Sequence, residues 1–237
     1  MWEHRAFFVT GTGTDIGKTW LTCALIRYWC TQGCRVRAFK PVLSGFDRAD
    51  ALASDAGQLL TAMNQPISKT TLDVIAPWRF SAPLSPDRAA AREGKEIDFG
   101  ALVSMTRQCL SENRHASDAE RVDVDAGVTL IEGIGGVMVP LDAKHTVRDW
   151  ISASGFSCIL VAGSYLGSLS HTLTALEALQ KVGVDVTAIV VNESPQSVVS
   201  LDDTLTALRP HVGGVNLVPI SRAAPQAGIE ALAFLLS

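Results

Sequence analysis

The sequence predicts an α/β fold: a doubly wound, mainly parallel sheet flanked by helices, built as a single domain over residues 1–237. Three observations carry this expectation. Short apolar runs are continuous rather than alternating, as in strands buried on both faces. Segments of helical period lie between them and stop at glycine. The size also suits one core, because 237 residues, 47% of them hydrophobic, leave little over for a second domain.

The elements follow in order. AFFVT (6–10) reads as the first strand, and after a glycine-rich loop KTWLTCALIRYWCTQG (18–33) reads as a helix closed by Gly33. VRAFKPV (36–42) is the second strand. From Ser44 to Pro86 the chain is least regular; SGFDRADALASD and PWRFSAPLSPD are rich in small residues, prolines and charges, as loops at the working edge of a sheet often are. DFGALVSMTRQCL then places Phe99, Leu102, Thr106, Cys109 and Leu110 on one helical stripe, with Asp98 at the N-cap. The runs at 128–133, 158–163, 186–192 and 215–220 are further strands, and SLSHTLTALEALQKVG and LDDTLTALRPHVG are helices that again end at glycine. Strand–helix alternation implies right-handed crossovers and a ligand beyond the carboxyl ends of the strands.

Composition excludes several classes. A net charge of −4 and a pI near 5.7 provide no global attraction to nucleic acid or to an acidic membrane, and GIEALAFLLS lacks a cationic face. The tryptophans Trp2, Trp20, Trp29, Trp78 and Trp150 are expected to pack rather than to stack bases, since no basic residues interleave with them. His4, His115, His145 and His211 show no ligand spacing and are expected at the surface. Five cysteines, Cys23, Cys30, Cys34, Cys109 and Cys158, form no CxxC pair and are expected to be buried free thiols in a reducing compartment. The start has no basic region followed by an apolar stretch, and no later run reaches about 18 apolar residues; a cytoplasmic protein is expected.

The chemistry gathers at strand ends. In VTGTGTDIGKTWL (9–21), five residues separate Gly11 from Gly17, one more than in the Walker A pattern. Its place between a strand and a helix, with the ending Gly17-Lys18-Thr19, nevertheless favours a phosphate-binding loop and a P-loop NTPase-like fold over an ordinary glycine-rich turn. Amides from Gly13 to Lys18 would point at phosphate oxygens, with Lys18 on the β/γ-phosphates and the Thr19 hydroxyl on Mg²⁺. Glu132 closes the strand VTLIE and precedes GIGG, so its carboxylate suits Mg²⁺, directly or through water. Gly133, Gly135 and Gly136 would let amides approach an oxyanion. Lys40 is either a solvated strand-end lysine or a cation that stabilises a transferred phosphoryl group. Asp55, with Ser54 as its cap, is equally open, because acids at helix starts are favourable for dipole reasons alone.

The pieces GTGTDIGKT, FKPVLSG, SDAGQLL, RFSAPLSPDRAAAREG, EGIGGVMVPL, LGSLSHT and VVN stand in an order that resembles the ATP-dependent dethiobiotin synthetases, from Phe8 to about Pro219. The resemblance implies that 7,8-diaminononanoate and CO₂ form a carbamate, that ATP phosphorylates it, and that ring closure releases dethiobiotin, ADP and phosphate. It implies Lys40 and Lys18 as the catalytic lysines, Lys40 near the carbamate. It implies Thr19, Asp55 and Glu132 as Mg²⁺ ligands. The nucleotide set is Gly13, Thr14, Asp15, Ile16, Gly17, Lys18, Thr19, Trp20, Asp55, Glu132, Gly133, Ile134 and Gly135, with Asn192 reading adenine and Pro219 in the loop flanking the base. Thr14, Ser44, Gly135, Gly136 and Ser170 are implied as substrate contacts.

The resemblance also implies a homodimer in which SYLGSLSHT reaches the neighbour's site; the alternative is that Ser168, Ser170 and His171 merely begin a capped helix. The chain departs from the family pattern at Gly13, where an acid is common, at Asp15, the shorter acid, at Asp87 in place of histidine, at Ser170 in place of asparagine, and in having no tyrosine after Asn192. Two other activities fit the fold less well. A partition or septum-site ATPase would carry a further lysine near the start of the loop, where Lys18 stands alone, and a glutamine-dependent amidotransferase would need an added glutaminase domain.

Overall fold

A computed structural model describes residues 5–111 and 127–237 and leaves out the side chains of Leu110 and Ser111. Trp2, His4, His115 and the side chain of Leu110 therefore lie outside the described residues.

Six strands form one parallel sheet: β1 (Arg5–Gly11), β2 (Arg35–Phe39), β5 (Gly127–Glu132), β6 (Ser157–Gly163), β7 (Val186–Asn192) and β8 (Asn216–Ile220), in the order β2-β5-β1-β6-β7-β8. The interior strands are buried on both faces, which is why Phe8, Val9, Leu130, Ile131, Ile159, Leu160 and Val161 follow one another without polar alternation. Because β1 sits between β5 and β6, the chain leaving β1 enters a crevice at the carboxyl edge of the sheet.

Helix α1 (Lys18–Thr31) buries Leu21, Leu25, Ile26 and Trp29, and Gly33 follows it with φ 75°. Helix α5 (Phe99–Ser111) is capped by Asp98, whose Oδ1 accepts from the Ala101 N–H at 2.9 Å. Trp150 of α6 (Val147–Ser154) packs edge-on against Phe8 with ring centroids 4.7 Å apart, and its Nε1 donates to Thr106 Oγ1 at 2.9 Å. Helices α7 (Ser168–Gln180), α8 (Leu201–Leu208) and α9 (Pro225–Leu235) complete the layers, a short 3₁₀ turn following α8.

The strand expected over 36–42 divides at Lys40-Pro41. Proline has no N–H to continue a ladder, and the Lys40 N–H turns away to Ile75 O. Beyond the break, β3 (Val42–Ser44) pairs in parallel with β4 (Trp78–Phe80) in a separate two-stranded sheet. The expected irregular stretch also holds α2 (Asp55–Ala62), α3 (Lys69–Ile75) and the start of α4 (Pro86–Arg92). At 8, 7 and 7 residues these helices are too short to display a period. Their caps are the local signal: Ser54 Oγ accepts from Gly57 N–H at 3.1 Å, and Ser68 and Thr71 form a reciprocal capping box.

Some surface and core expectations change. Cys23, Cys109 and Cys158 are buried, but Cys30 is exposed and Cys34 half-buried, because both stand at the open end of α1. Trp29 and Trp150 pack in the core, whereas Trp20 is 44% exposed. His145 is half-buried, stacked on Phe99 at 3.8 Å and bonded to Asp142 at 2.8 Å. Among the described residues, no helix is long and apolar enough to cross a membrane.

Candidate active site

The loop after β1 is held open from two sides. Thr12 N–H donates to Val161 O at 2.9 Å, and α1 then begins at Lys18 with Gly17 as its N-cap. Gly17 has φ 91°, and a Cβ there would lie 2.6 Å from Asn192 Nδ2, so both backbone and space demand glycine. That Nδ2, at the end of β7, donates to Ile16 O at 2.7 Å, while Asn192 Oδ1 is buried without a partner. Lys18 is 6% exposed and folds back to donate from Nζ to Gly13 O at 2.6 Å. Burial, followed by the charge of Lys40, brings its pKa down to about 8.

Lys40 emerges at the end of β2, 2% exposed. Its Nζ lies 2.7 Å from Glu132 Oε1, 2.9 Å from Asp55 Oδ2 and 2.9 Å from Gly133 O. Burial alone would lower the Lys40 pKa, but Glu132 and Asp55 outweigh it and hold the ammonium above its ordinary value. Burial would likewise raise Asp55, yet Lys40 and then Thr19 keep it below the ordinary aspartate value. Thr19 Oγ1 donates to Glu132 Oε1 at 2.6 Å. The solvated alternative for Lys40 is thus excluded.

Two clefts meet over the loop. The first, about 610 Å³, is lined by Thr14, Asp15, Gly17, Lys18, Thr19, Lys40, Ser44, Asp55, Ile134 and Gly135, and is closed on the far side by Pro83, Leu84, Ser85 and Pro86. The second, about 490 Å³, lies between the loop and the ends of β7 and β8, with Asn192, Glu193, Ser194, Ser221, Arg222 and Pro225 in its wall. Asp15, Gly17 and Trp20 border both. A long ligand can therefore cross the loop, with an anionic middle over Lys18 and its ends in different clefts.

Other expected site residues stand elsewhere. Gly133 cannot offer its amide to an oxyanion, because that N–H is bonded to Val9 O at 2.9 Å; the residue acts through its carbonyl, on Lys40. Gly136 is buried beneath the loop, where a Cβ would meet Thr12 O at 2.9 Å. Pro219 lies within β8, opposite Val191, rather than in a loop, and Ile220 to Arg222 form that part of the second cleft. Ser170 is exposed on α7 and lines neither cleft of its own chain. No side chain caps α7: Gly167 is the N-cap, Ser168 Oγ is buried without a partner, and His171 Nδ1 bonds to Tyr165 OH at 2.8 Å.

Sequence reasoning did not single out Glu193. Its Oε2 accepts from Ser221 Oγ at 3.0 Å and Arg222 N–H at 2.7 Å, pinning the wall of the second cleft. Its signal was position, an acid directly after the strand-end Asn192.

The oxygens of Thr19, Asp55 and Glu132 converge, and Glu132 Oε2 is buried without a partner. Among the described residues no three His, Cys, Asp or Glu side chains form a metal cage. This donor set fits a hard cation that arrives with a phosphate ligand and keeps several waters, as Mg²⁺ does.

The family model of an AAA domain matches residues 5–221. Solved structures share the fold: a chain of the MinC:MinD cell division protein complex of Aquifex aeolicus (TM-score 0.55, 10% identity, 97% of this chain and 86% of that chain) and the septum site-determining protein MinD with Mg-ADP from Pyrococcus horikoshii OT3 (TM-score 0.53, 16% identity, 98% and 93%). At such identities the likeness speaks for the fold alone. Among curated relatives, the ATP-dependent dethiobiotin synthetase BioD of Acidiphilium cryptum (strain JF-5) is 45% identical over 208 residues, covering 87% of this chain and 88% of the relative. That of Phenylobacterium zucineum (strain HLK1) is 43% identical over 232 residues, covering 98% and 93%. A P-loop fold carrying this site, together with identity of that order over nearly the whole length, means that the chain belongs to the ATP-dependent dethiobiotin synthetase family.

Proposed function

We propose that the chain, as one ligase domain over residues 1–237, closes 7,8-diaminononanoate and CO₂ to dethiobiotin at the expense of ATP. One amine and CO₂ form a carbamate. A carbamate oxygen attacks the γ-phosphorus of ATP, the bond to ADP breaks, and a carbamic–phosphoric anhydride results. The second amine attacks its carbonyl carbon, phosphate leaves with the bonding electrons, a proton passes to solvent, and the ureido ring closes. A carbamate oxygen is a poor leaving group until phosphorylated, and two amines held beside one carbonyl make closure effectively unimolecular.

The observation that carries this reading is the convergence of Lys18, Lys40, Thr19 and Asp55 in the wall of the first cleft, with Glu132 buried directly behind Lys40 and Thr19 and a free acceptor on Asn192 at the second. Lys18 pairs with the terminal phosphates, and Lys40 steadies charge on the carbamate side of the transfer. Ser44 Oγ, buried without a partner in the wall of the first cleft, is available to the substrate. Asn192 Oδ1 accepts from an amino group on the base, as adenine offers. Mg²⁺ would be held by Thr19, Asp55 and Glu132 and would neutralise phosphate charge when bound.

A homodimer completes this reading. The turn before α7 carries Leu166 (81% exposed), and the first turn of the helix carries Leu169 (38%) beside Ser170, a surface suited to reaching a partner's first cleft. Dependence on ATP fits a cytoplasmic location. The deciding assay follows phosphate release from ATP with diamine and bicarbonate, each omitted in turn. Release that requires both supports the ligase; release indifferent to the diamine overturns it in favour of a nucleotide switch.

A further inference from the structure

The ammonium of Lys40 spends all its donors within the protein. Its acceptors are Glu132 Oε1 at 2.7 Å, Asp55 Oδ2 at 2.9 Å and Gly133 O at 2.9 Å. An ammonium has three N–H bonds and no acceptor, so none remains here for a reactant oxygen. The same ammonium is what makes the facing carboxylates tolerable, since Glu132 is fully buried and a bare pair of anions there is unfavourable. Glu132 Oε2, also buried, has no partner at all. One ammonium therefore already offsets part of the charge of the carboxylates assigned above to a divalent cation.

We propose that Lys40 is an internal stand-in for the divalent cation. In nucleotide-free protein its ammonium fills the space between Glu132 and Asp55; metal arriving with nucleotide displaces it and frees its N–H groups for the reactants. The inference rests on the nucleotide reading above and gives Lys40 a second task, keeping the metal site closed until the phosphates come. A divalent cation and an ammonium that share the same two carboxylates repel each other, so free metal binds the parent protein poorly. Deleting the ammonium converts the carboxylate pair into a cation site that needs no nucleotide.

The test is a Mn²⁺ titration followed by electron paramagnetic resonance on nucleotide-free parent, K40M and K40M/E132Q. K40M is expected to bind one Mn²⁺ about tenfold or more tightly than the parent, and the added E132Q to abolish the gain. Equal affinities in parent and K40M, or a gain that survives E132Q, overturn the proposal. Mn²⁺ binding to the parent with ADP present checks the nucleotide reading separately: failure there removes that reading, whatever K40M does. Should K40M not fold even with Mn²⁺, parent protein with ¹³Cε-lysine decides. The Lys40 resonance is expected to move when Mg²⁺ joins the ADP complex, and a resonance that stays in place overturns displacement.

Discussion

Asn192 reaches back across 176 residues of sequence to donate from Nδ2 to Ile16 O at 2.7 Å, locking the end of β7 onto the loop before α1. A Cβ on Gly17 would meet the same nitrogen at 2.6 Å. The two positions form one latch between the clefts. Gly17→Ala is expected to weaken nucleotide binding by about tenfold or more, since it both strains a left-handed backbone and pushes the asparagine away. In an Asn192→Ala background the same change should cost less, giving a coupling of about 0.5–1 kcal/mol in a calorimetric double-mutant cycle. Strict additivity would show that the latch does not exist.

Lys40→Ala leaves the buried Glu132 carboxylate without its closest cation. Removing one member of a buried ion pair costs about 3–5 kcal/mol, and urea unfolding at neutral pH, without divalent metal, should register a loss of that order. Turnover should vanish while nucleotide binding persists with Mg²⁺. Undiminished phosphate release would take Lys40 out of the chemistry.

The Trp150 indole N–H is fully buried and bonded only to Thr106 Oγ1 at 2.9 Å. Thr106→Val leaves that donor without an acceptor, at about 1–3 kcal/mol, whereas Thr106→Ser keeps the acceptor. Urea midpoints should rank parent, then Ser, then Val, with nucleotide affinity unchanged in all three.

Asp149 accepts from Thr146 N–H and Oγ1, each at 2.8 Å, and from Arg148. Burial alone would raise its pKa, but these donors hold it below the ordinary 3.8. A carboxylate depressed on folding contributes fully above its unfolded value and ceases to contribute as pH falls through its folded value. Asp149→Ala should therefore lose about 1 kcal/mol at neutral pH. The gap to the parent should close in acid, as the pH falls below the ordinary 3.8 and through the depressed folded value. A gap that widens in acid would contradict the capping role.

Much of the fold is legible in the sequence alone. The continuous apolar runs marked the sheet because interior parallel strands have no wet face. Gly17-Lys18-Thr19 marked the phosphate loop, since a strand, a tight turn and a helix start are all local events. Gly33 and Asp98 marked helix ends for the same reason. Pro41 was also visible, but its consequence was not: only the Lys40 N–H turning to Ile75, and Val42–Ser44 finding Trp78–Phe80, reveal a second small sheet.

Sequence could nominate Lys40, Asp55 and Glu132 one at a time, each with an ordinary explanation as a strand-end or helix-start charge. Their meeting depends on β2 and β5 lying side by side and on α2 arriving over that edge. Burial then changes what each group is, from a solvated charge to one member of a tightly paired set. Local chemistry is written in neighbouring residues because turns, caps and periods act over a few positions; a charge cluster spanning 92 residues exists only after the chain has been packed and its water removed.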